Sequence, residues 1–394
     1  MTEKLVPFDR GRRRIDPARM REFAQTARKL QEEREMTAEA VSALLRETPR
    51  SEWGKLAERE DLRNSGALEH LASEAAAHFG NAPEAALAVA QLATEIAGRL
   101  PGDAYPQIVV AQLRAHTWKD RARALCALSR YDEALESLSR ADRELEPFGS
   151  VAHDQAMLAL YRSIVLQHVR RFDEAEYQLA YASAIFRDHG DNAFYAKCAL
   201  SYGNLLIRRG NHRKAREILL PLLGSANAER EATALTALAW CDVELGDASL
   251  ALDRFAEAQR RWTALGRPID AVRMQYGIGA ALVRLAQLDT AVAQLTQARS
   301  ALLRFGVIEE AGLAGLELLE ALLLQDRAAE AKRLATRIVR EFVAANLNRR
   351  AVAALAYLNE AIASTRATPE IVRSVSSYVV SLRHDPTRDF VVVN

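Results

Sequence analysis

The stretch from Ala115 to Pro147, AHTWKDRARALCALSRYDEALESLSRADRELEP, decides the fold. Its segment YDEAL, residues 131–135, marks a turn between two helices. After that turn, apolar residues stand four and seven positions beyond Ala134, beginning with Leu138, so they share one stripe of a helix. Before it, the small residue Ala122 lets the preceding helix approach closely. The stretch therefore predicts a helical hairpin with tightly packed arms.

The same pattern recurs along the chain. Each copy has an alanine at the fourth position of its turn segment, and successive copies are 41, 40, 36, 40 and 40 residues apart. These alanines are Ala134, Ala175, Ala215, Ala251, Ala291 and Ala331. Glycines, which tolerate the left-handed conformation just past a helix end, close most copies at Gly149, Gly190, Gly224, Gly266 and Gly306. Because neither arm of such a hairpin can bury its apolar stripe alone, the repeat predicts hairpins stacked on one another.

The composition agrees with a helical repeat. Apolar residues make up 49% of the chain but aromatic residues only 6%, and 18 glycines and 11 prolines are too few for a turn-rich β protein. The net charge is +1, from 53 basic and 52 acidic residues. A chain so balanced has no overall electrostatic reason to bind nucleic acid or an anionic membrane. We therefore expect an all-α protein whose partner is neither of these.

The cysteines and the hydropathy pattern indicate the cellular setting. Three cysteines without a CxxC pair predict neither a disulfide framework nor a zinc site. The start of the chain lacks the apolar core of a secretory signal. The most apolar stretch, residues 311–324, is interrupted by Glu317 and Glu320 and is too short to span a bilayer. We expect a cytoplasmic protein.

The unit from Ala115 to Pro147 resembles the tetratricopeptide repeat (TPR) family, in its long-period bacterial type of about 40 residues. The residues that carry the resemblance are Trp118, Ala122, Tyr131, Ala134, Leu138, Ala141 and Pro147. Arg121 departs from it, since the family prefers leucine there. The resemblance implies an α-α superhelix, a solenoid of antiparallel helix pairs that holds proteins or peptides and does not catalyse a reaction.

Four segments are expected along the chain. They are a disordered basic arm (1–15), an N-terminal helical cap (16–63), the TPR-like solenoid (64–385) and an apolar tail (386–394). In the cap, Asp16-Pro17 and Thr37 are predicted helix starts. Residues 37–56 faintly resemble a helix-turn-helix, although Arg46 stands where the turn favours glycine and Pro49 follows it.

The resemblance also implies a binding face. In this family the first helix of each pair, helix A, lines the concave side. Carried over by alignment, the candidate partner-binding residues are Lys119, Arg123, Lys197, Asn204, Arg208, Trp240, Arg273, Tyr276 and Arg284. Basic groups beside an amide and aromatic rings suit an extended peptide that carries acidic residues or a free carboxylate. The plainer interpretation is that exposed helix faces are charged anyway.

No enzyme motif stands out. Gly277-Ile-Gly279 begins like a dinucleotide loop, but the third glycine and the preceding strand are missing. The histidines are scattered without the spacing of metal ligands. We expect no catalytic residue, cofactor or metal. The sequence favours a binding scaffold or adaptor, a subunit of a bacterial signalling or regulatory assembly. The alternative is a transcriptional regulator with a degenerate DNA-binding head and a peptide-sensing TPR domain.

Overall fold

A computed structural model describes residues 17–79, 82–149, 151–224, 227–345, 347–382 and 388–390. These residues form α-helices joined by short turns, with no strand among them. This confirms the predicted all-α class. The predicted basic arm, residues 1–15, lies outside the described residues, and so does most of the apolar tail.

The helices divide into two compact units, Met1–Leu158 and Ala159–Asn394. Those that begin in the first unit are α1 (Pro17–Glu47), α2 (Trp53–Leu56), α3 (Ser65–His78), α4 (Pro83–Gly98), α5 (Gln107–Ala127), α6 (Tyr131–Leu145) and α7 (Ala152–His168). Those of the second unit are α8 (Phe172–Asp188), α9 (Asn192–Arg208), α10 (His212–Leu219), α11 (Ala228–Leu245), α12 (Ala248–Ala264), α13 (Pro268–Arg284), α14 (Leu288–Arg304), α15 (Ile308–Leu324), α16 (Ala328–Ala344), α17 (Arg349–Ala363) and α18 (Pro369–Leu382).

Helices of 17 residues, joined by connections of about three, produce the repeat of 40. The step of 36 falls where α10 has only eight residues and gives way to a 3-10 turn at Leu220–Leu222 that contains Pro221. Because of that turn, Leu222 does not continue the helical stripe and is only half-buried, unlike its counterparts in the neighbouring copies.

The small residues predicted to bring the two helices of a hairpin together do so. The six repeat alanines have no exposed surface. A Cβ atom added to Gly203 would lie 2.5 Å from Leu219 Cδ2, and one added to Gly279 would lie 2.5 Å from Leu295 Cδ2. Both leucines have no exposed surface. The leucine of the second helix of the pair, helix B, therefore occupies the volume that the glycine of helix A leaves empty.

Each turn between helices A and B places one residue in the left-handed region, five positions before the repeat alanine. These residues are Ser129, Arg170, Gly210, Gly246, Ala286 and Asp326. The next residue donates its amide to a carbonyl five residues earlier, as Arg130 does to Leu125 over 2.9 Å. This is the six-to-one hydrogen bond of a Schellman cap. After helix B, four of the five predicted glycine stops adopt a positive φ, whereas Gly149 does not.

The N-terminal helices differ from the prediction. α1 begins at Pro17 but runs without a break through Thr37, so the predicted second helix start at Thr37 is wrong. Residues 37–56 comprise the end of α1, a 3-10 turn and the four-residue α2. A helix of four residues is too short to read a DNA groove, so the segment does not form a helix-turn-helix.

The last two helices close the second unit in a way the repeat does not predict. α17 packs on α16, but it is α18 that packs on α15. Together with α13, α14 and α16, which also pack on α15, α18 leaves residues 311–322 of α15 buried. Phe390 folds back onto this end, with ring centroids 4.9 Å from Tyr378 and 5.6 Å from Tyr357.

Candidate functional site

The nine predicted site residues fall in both units. Lys119 and Arg123 lie on α5, in the first unit. The other seven lie on α9, α11 and α13, in the second unit. α11 packs against both α9 and α13. The first helices of three successive pairs therefore lie side by side.

On α5, the two basic residues share an acidic neighbour. Lys119 Nζ is 3.2 Å and Arg123 Nη1 is 3.3 Å from Asp120 Oδ1. The guanidinium of Arg123 also lies over the ring of Phe79, 4.0 Å from its centroid. Since Asp120 is buried, its negative charge offsets part of the positive charge that the sequence predicts here.

On each of α9, α11 and α13, four residues at successive intervals of three, four and four positions share one face of the helix. These residues are Lys197, Leu200, Asn204 and Arg208 on α9, Thr233, Thr236, Trp240 and Glu244 on α11, and Arg273, Tyr276, Ala280 and Arg284 on α13. We call this set the A-face. Lys197, Glu244 and Arg284 are exposed, and Asn204, Arg208, Trp240 and Tyr276 are half-buried. The A-face is therefore a mixed polar and aromatic surface.

An aromatic pair lies at its centre. The rings of Trp240 and Tyr276 are 5.5 Å apart, and Trp240 meets the buried ring of Phe255 edge-on at 5.0 Å. The motif that resembles a dinucleotide loop serves this packing, because a Cβ atom on Gly277 would lie 2.5 Å from Phe255 Cε1. Gly277 thus leaves room for Phe255, and Phe255 holds the aromatic pair in place.

The basic residues of α13 are paired within the chain. Arg284 Nη1 lies 2.9 Å from Glu317 Oε2 and 3.5 Å from Glu320 Oε2. Burial alone would lower the pKa of Arg284, but these carboxylates outweigh it and raise the pKa above its usual value. Arg273 is held likewise, with Nε 2.8 Å from Glu310 Oε2 and Nη1 2.8 Å from an oxygen of Asp270.

The carboxylates of α15 form a network that the sequence did not reveal. Glu320 is 4% exposed. Its Oε1 forms an ion pair with Nε of Arg373 on α18, at a distance of 3.3 Å. Burial, followed by repulsion from Glu317, raises the pKa of Glu320. In the sequence, the trace of this network is two glutamates three positions apart within the apolar stretch of residues 311–324. They pair with basic residues on both sides and complete the packing around α15.

The described residues also bear on metal sites and on membrane-spanning helices. No group of three or more His, Cys, Asp or Glu side chains in this part of the chain is arranged to hold a metal ion. No helix within it combines the length and apolar character needed to cross a membrane.

Comparison with known proteins gives likeness in structure but not in sequence. No protein-family model and no curated protein matches the chain. A STAND signal transduction ATPase with a tetratricopeptide repeat sensor, from Pyrococcus horikoshii, matches with a TM-score of 0.59 and 13% identity, over 91% of this chain and 53% of that one. The chain thus spans about half the length of that protein.

Two further structures match over nearly their whole length. A Rap protein complexed with Competence and Sporulation Factor has a TM-score of 0.54 and 16% identity, over 91% of this chain and 99% of that one. NprR in complex with its cognate peptide NprX has a TM-score of 0.55 and 12% identity, over 91% and 98%. Together with the repeated hairpins, these likenesses show that the chain has the helical solenoid fold of tetratricopeptide-type repeat proteins.

Proposed function

We propose that this chain is a non-catalytic binding protein that holds an extended peptide, or a peptide segment of a partner protein, on the A-face of its second unit. The observation that carries the proposal is the half-buried pair of Trp240 and Tyr276, flanked by the polar residues of α9 and α13. Fixed aromatic rings bury apolar side chains of a ligand at little cost in conformational entropy.

Asn204 supports the proposal from the neighbouring helix. It is half-buried, and its side-chain amide makes no hydrogen bond within the part of the chain that the structure describes. An amide offers two donors and one acceptor oxygen. An extended peptide presents a backbone N–H and C=O at each residue, so Asn204 could bind the backbone while the aromatic pair binds a side chain.

The structural neighbours give independent support. The Rap protein and NprR share the fold, and the structures that match are complexes with Competence and Sporulation Factor and with the cognate peptide NprX. The STAND protein carries its tetratricopeptide repeats as a sensor. We extend this role to the present chain as a proposal: a peptide-sensing adaptor in a cytoplasmic signalling assembly.

The test is selection from a random peptide library displayed on phage, with the full-length chain as bait. Affinities of the selected peptides are then measured by isothermal titration calorimetry. The double variant Asn204→Ala/Arg208→Glu should bind at least tenfold more weakly, because a hydrogen bond to a charged group such as Arg208 contributes about 1.5–3 kcal/mol.

Tyr177→Ala is the matched control, because it removes an aromatic side chain that is 72% exposed on helix B of the same unit. It should leave the affinity unchanged. Failure to select any peptide would overturn the proposal. Equal binding by the wild type and the double variant would exclude the A-face as the binding surface.

A further inference from the structure

A cavity of about 700 Å³ opens beside the turn between α11 and α12. It is bounded by Arg216 and Leu220 near α10, by Asp247 and Leu250 at the start of α12, and by Arg284 at the end of α13. We call it the rim cavity. Arg284 also belongs to the A-face, so the rim cavity and the proposed peptide surface share a residue.

The rim cavity is rich in arginine side chains. Three arginines line it, Arg216, Arg254 and Arg284, against a single aspartate, Asp247. Their side chains retain 31%, 13% and 30% of their surface exposed. Beneath them lies Asp242, which has no exposed surface. The lining itself carries a net charge of +2, but Asp242 pairs with Arg216 and Arg254, and Glu317 and Glu320 pair with Arg284. The cavity therefore offers an anion N–H donors rather than an excess of positive charge.

Two of the arginines, Arg216 and Arg254, have N–H groups that donate to no acceptor among the described residues. Nη1 of Arg216 lies 2.6 Å from Asp247 Oδ2 and 3.4 Å from Asp242 Oδ1, and Nη1 of Arg254 donates to Asp242 Oδ2. A guanidinium has five N–H donors in a planar fork. The Nε and Nη2 groups of Arg216 and Arg254 have no acceptor among the described residues. They can donate to a ligand without breaking the bonds to Asp242.

The start of α12 also favours a negative charge at the cavity. Asp247 stands at the N-cap position, yet its side chain does not cap the helix, because the carboxylate is engaged by Arg216. Elsewhere in the unit, Asn211 and Asn227 do cap their helices. The residues that follow Asp247, 248–250, line the cavity, and the N-terminal end of a 17-residue helix favours a negative charge.

The flanks of the rim cavity are apolar. Leu220 is 42% exposed and Leu250 is 40% exposed. A ligand that accepts hydrogen bonds from the arginines and also contacts these leucines needs a carboxylate next to an aliphatic side chain. Acidic residues that alternate with leucine in a peptide have this chemistry.

We propose that the rim cavity binds a glutamate or aspartate side chain of an acidic, leucine-containing peptide segment. This inference rests on the proposed function, since it names a side chain of the peptide that the A-face holds. Arg216 and Arg254 supply donors to the carboxylate, and Leu220 and Leu250 contact the adjacent apolar residue. Asp247 competes with the ligand for Arg216.

The experiment measures fluorescence anisotropy of a fluorescein-labelled peptide, Glu-Leu-Glu-Leu-Glu-Leu, with the full-length chain. The matched probe replaces each glutamate by glutamine and should bind at least tenfold more weakly. Arg216→Gln should weaken binding of the acidic probe about tenfold, because it removes a charge-assisted donor. Its counterpart Asp247→Asn should tighten binding about threefold, because it releases Arg216 and leaves an N-cap residue of equal quality.

Arg327→Gln is the control, since Arg327 precedes helix B two repeats later, pairs with Glu330 and does not line the cavity. It should leave the affinity unchanged. Opposite shifts for Arg216→Gln and Asp247→Asn support the proposal, because a loss of folding would move both variants in one direction. No binding of the acidic probe, or equal affinities for Arg216→Gln and the wild type, overturns the proposal. If library peptides bind the A-face while Arg216→Gln has no effect, only the rim-cavity inference fails, not the proposed function.

Discussion

Adding one methyl group at Gly279 tests whether close approach of the helices governs this fold. The new Cβ atom of Gly279→Ala would lie 2.5 Å from Cγ and Cδ2 of Leu295, a side chain with no exposed surface. Overpacking of this kind costs about 1–3 kcal/mol, and alanine regains about 1 kcal/mol of helix propensity over glycine. Because the contacted leucine is fully buried, we expect the upper part of the overpacking range, about 2–3 kcal/mol, and hence a net loss of about 1–2 kcal/mol in the free energy of unfolding.

A double-mutant cycle with Leu295→Ala makes the test specific. Leu295→Ala alone should cost about 2–5 kcal/mol, because it leaves a cavity. In the double variant the alanine methyl at Gly279 enters that cavity, so the combined loss should be smaller than the sum by about 1–2 kcal/mol. Gly98→Ala serves as control, because nothing lies within 4 Å of its added Cβ atom.

The free energies are measured by urea denaturation, which is monitored by far-UV circular dichroism and by tryptophan fluorescence. Trp240 and Trp262 lie on α11 and α12, next to α13. The denaturation slopes of the four proteins should agree before midpoints are compared. Losses that add within about 0.5 kcal/mol, or a Gly279→Ala protein as stable as the wild type, would refute the packing argument.

Two further predictions concern titratable groups. Burial raises the pKa of the thiols of Cys198 and Cys241 to about 11, so at pH 8 the folded protein should react with Ellman's reagent fastest at Cys126, and at all three thiols only after denaturation. At Asp154, burial raises the pKa, but hydrogen bonding with His116 helps to outweigh it, and the net pKa is lowered. Its carboxylate therefore stabilises the fold above the usual aspartate pKa of about 3.9, and this contribution is lost as the pH falls further. Thermal unfolding of Asp154→Asn should accordingly depend less steeply on pH between 5 and 3 than that of the wild type.

The hairpins could be predicted from the sequence because their determinants are local. An alanine, a residue four positions later and a small residue twelve positions earlier identify both helices and their contact. The sequence does not identify the left-handed residue of the A–B turns at Ser129, Arg170, Ala286 and Asp326, because these positions lack the glycine that usually marks it. There the hydrogen bonds of the helix end impose a conformation that costs a non-glycine residue about 1–2 kcal/mol.

Features that depend on tertiary contacts were not predictable. Thr37 looks like a helix start, but its hydroxyl donates to the Glu33 carbonyl of the preceding turn at 2.7 Å, and α1 continues past it. α1 is held by contacts with α3, among them a 2.6 Å hydrogen bond from Ser65 Oγ to Glu33 Oε2. In the candidate site, helical spacing placed Trp240 and Tyr276 on one stripe. The ion pairs of Arg284 could not be found in the same way, since their partners lie more than thirty residues away.

The covering of α15 by α18 has a consequence for the size of a ligand. Because α15 offers no open surface along residues 311–322, a peptide on the A-face that runs from α9 to α13 crosses two helix–helix spacings. At about 8–10 Å per spacing, that distance is about 16–20 Å, and extended chain rises about 3.3 Å per residue. If the A-face binds a peptide as proposed, the packing of α18 on α15 limits this part of the ligand to about five or six residues, so a short linear motif would suffice for recognition.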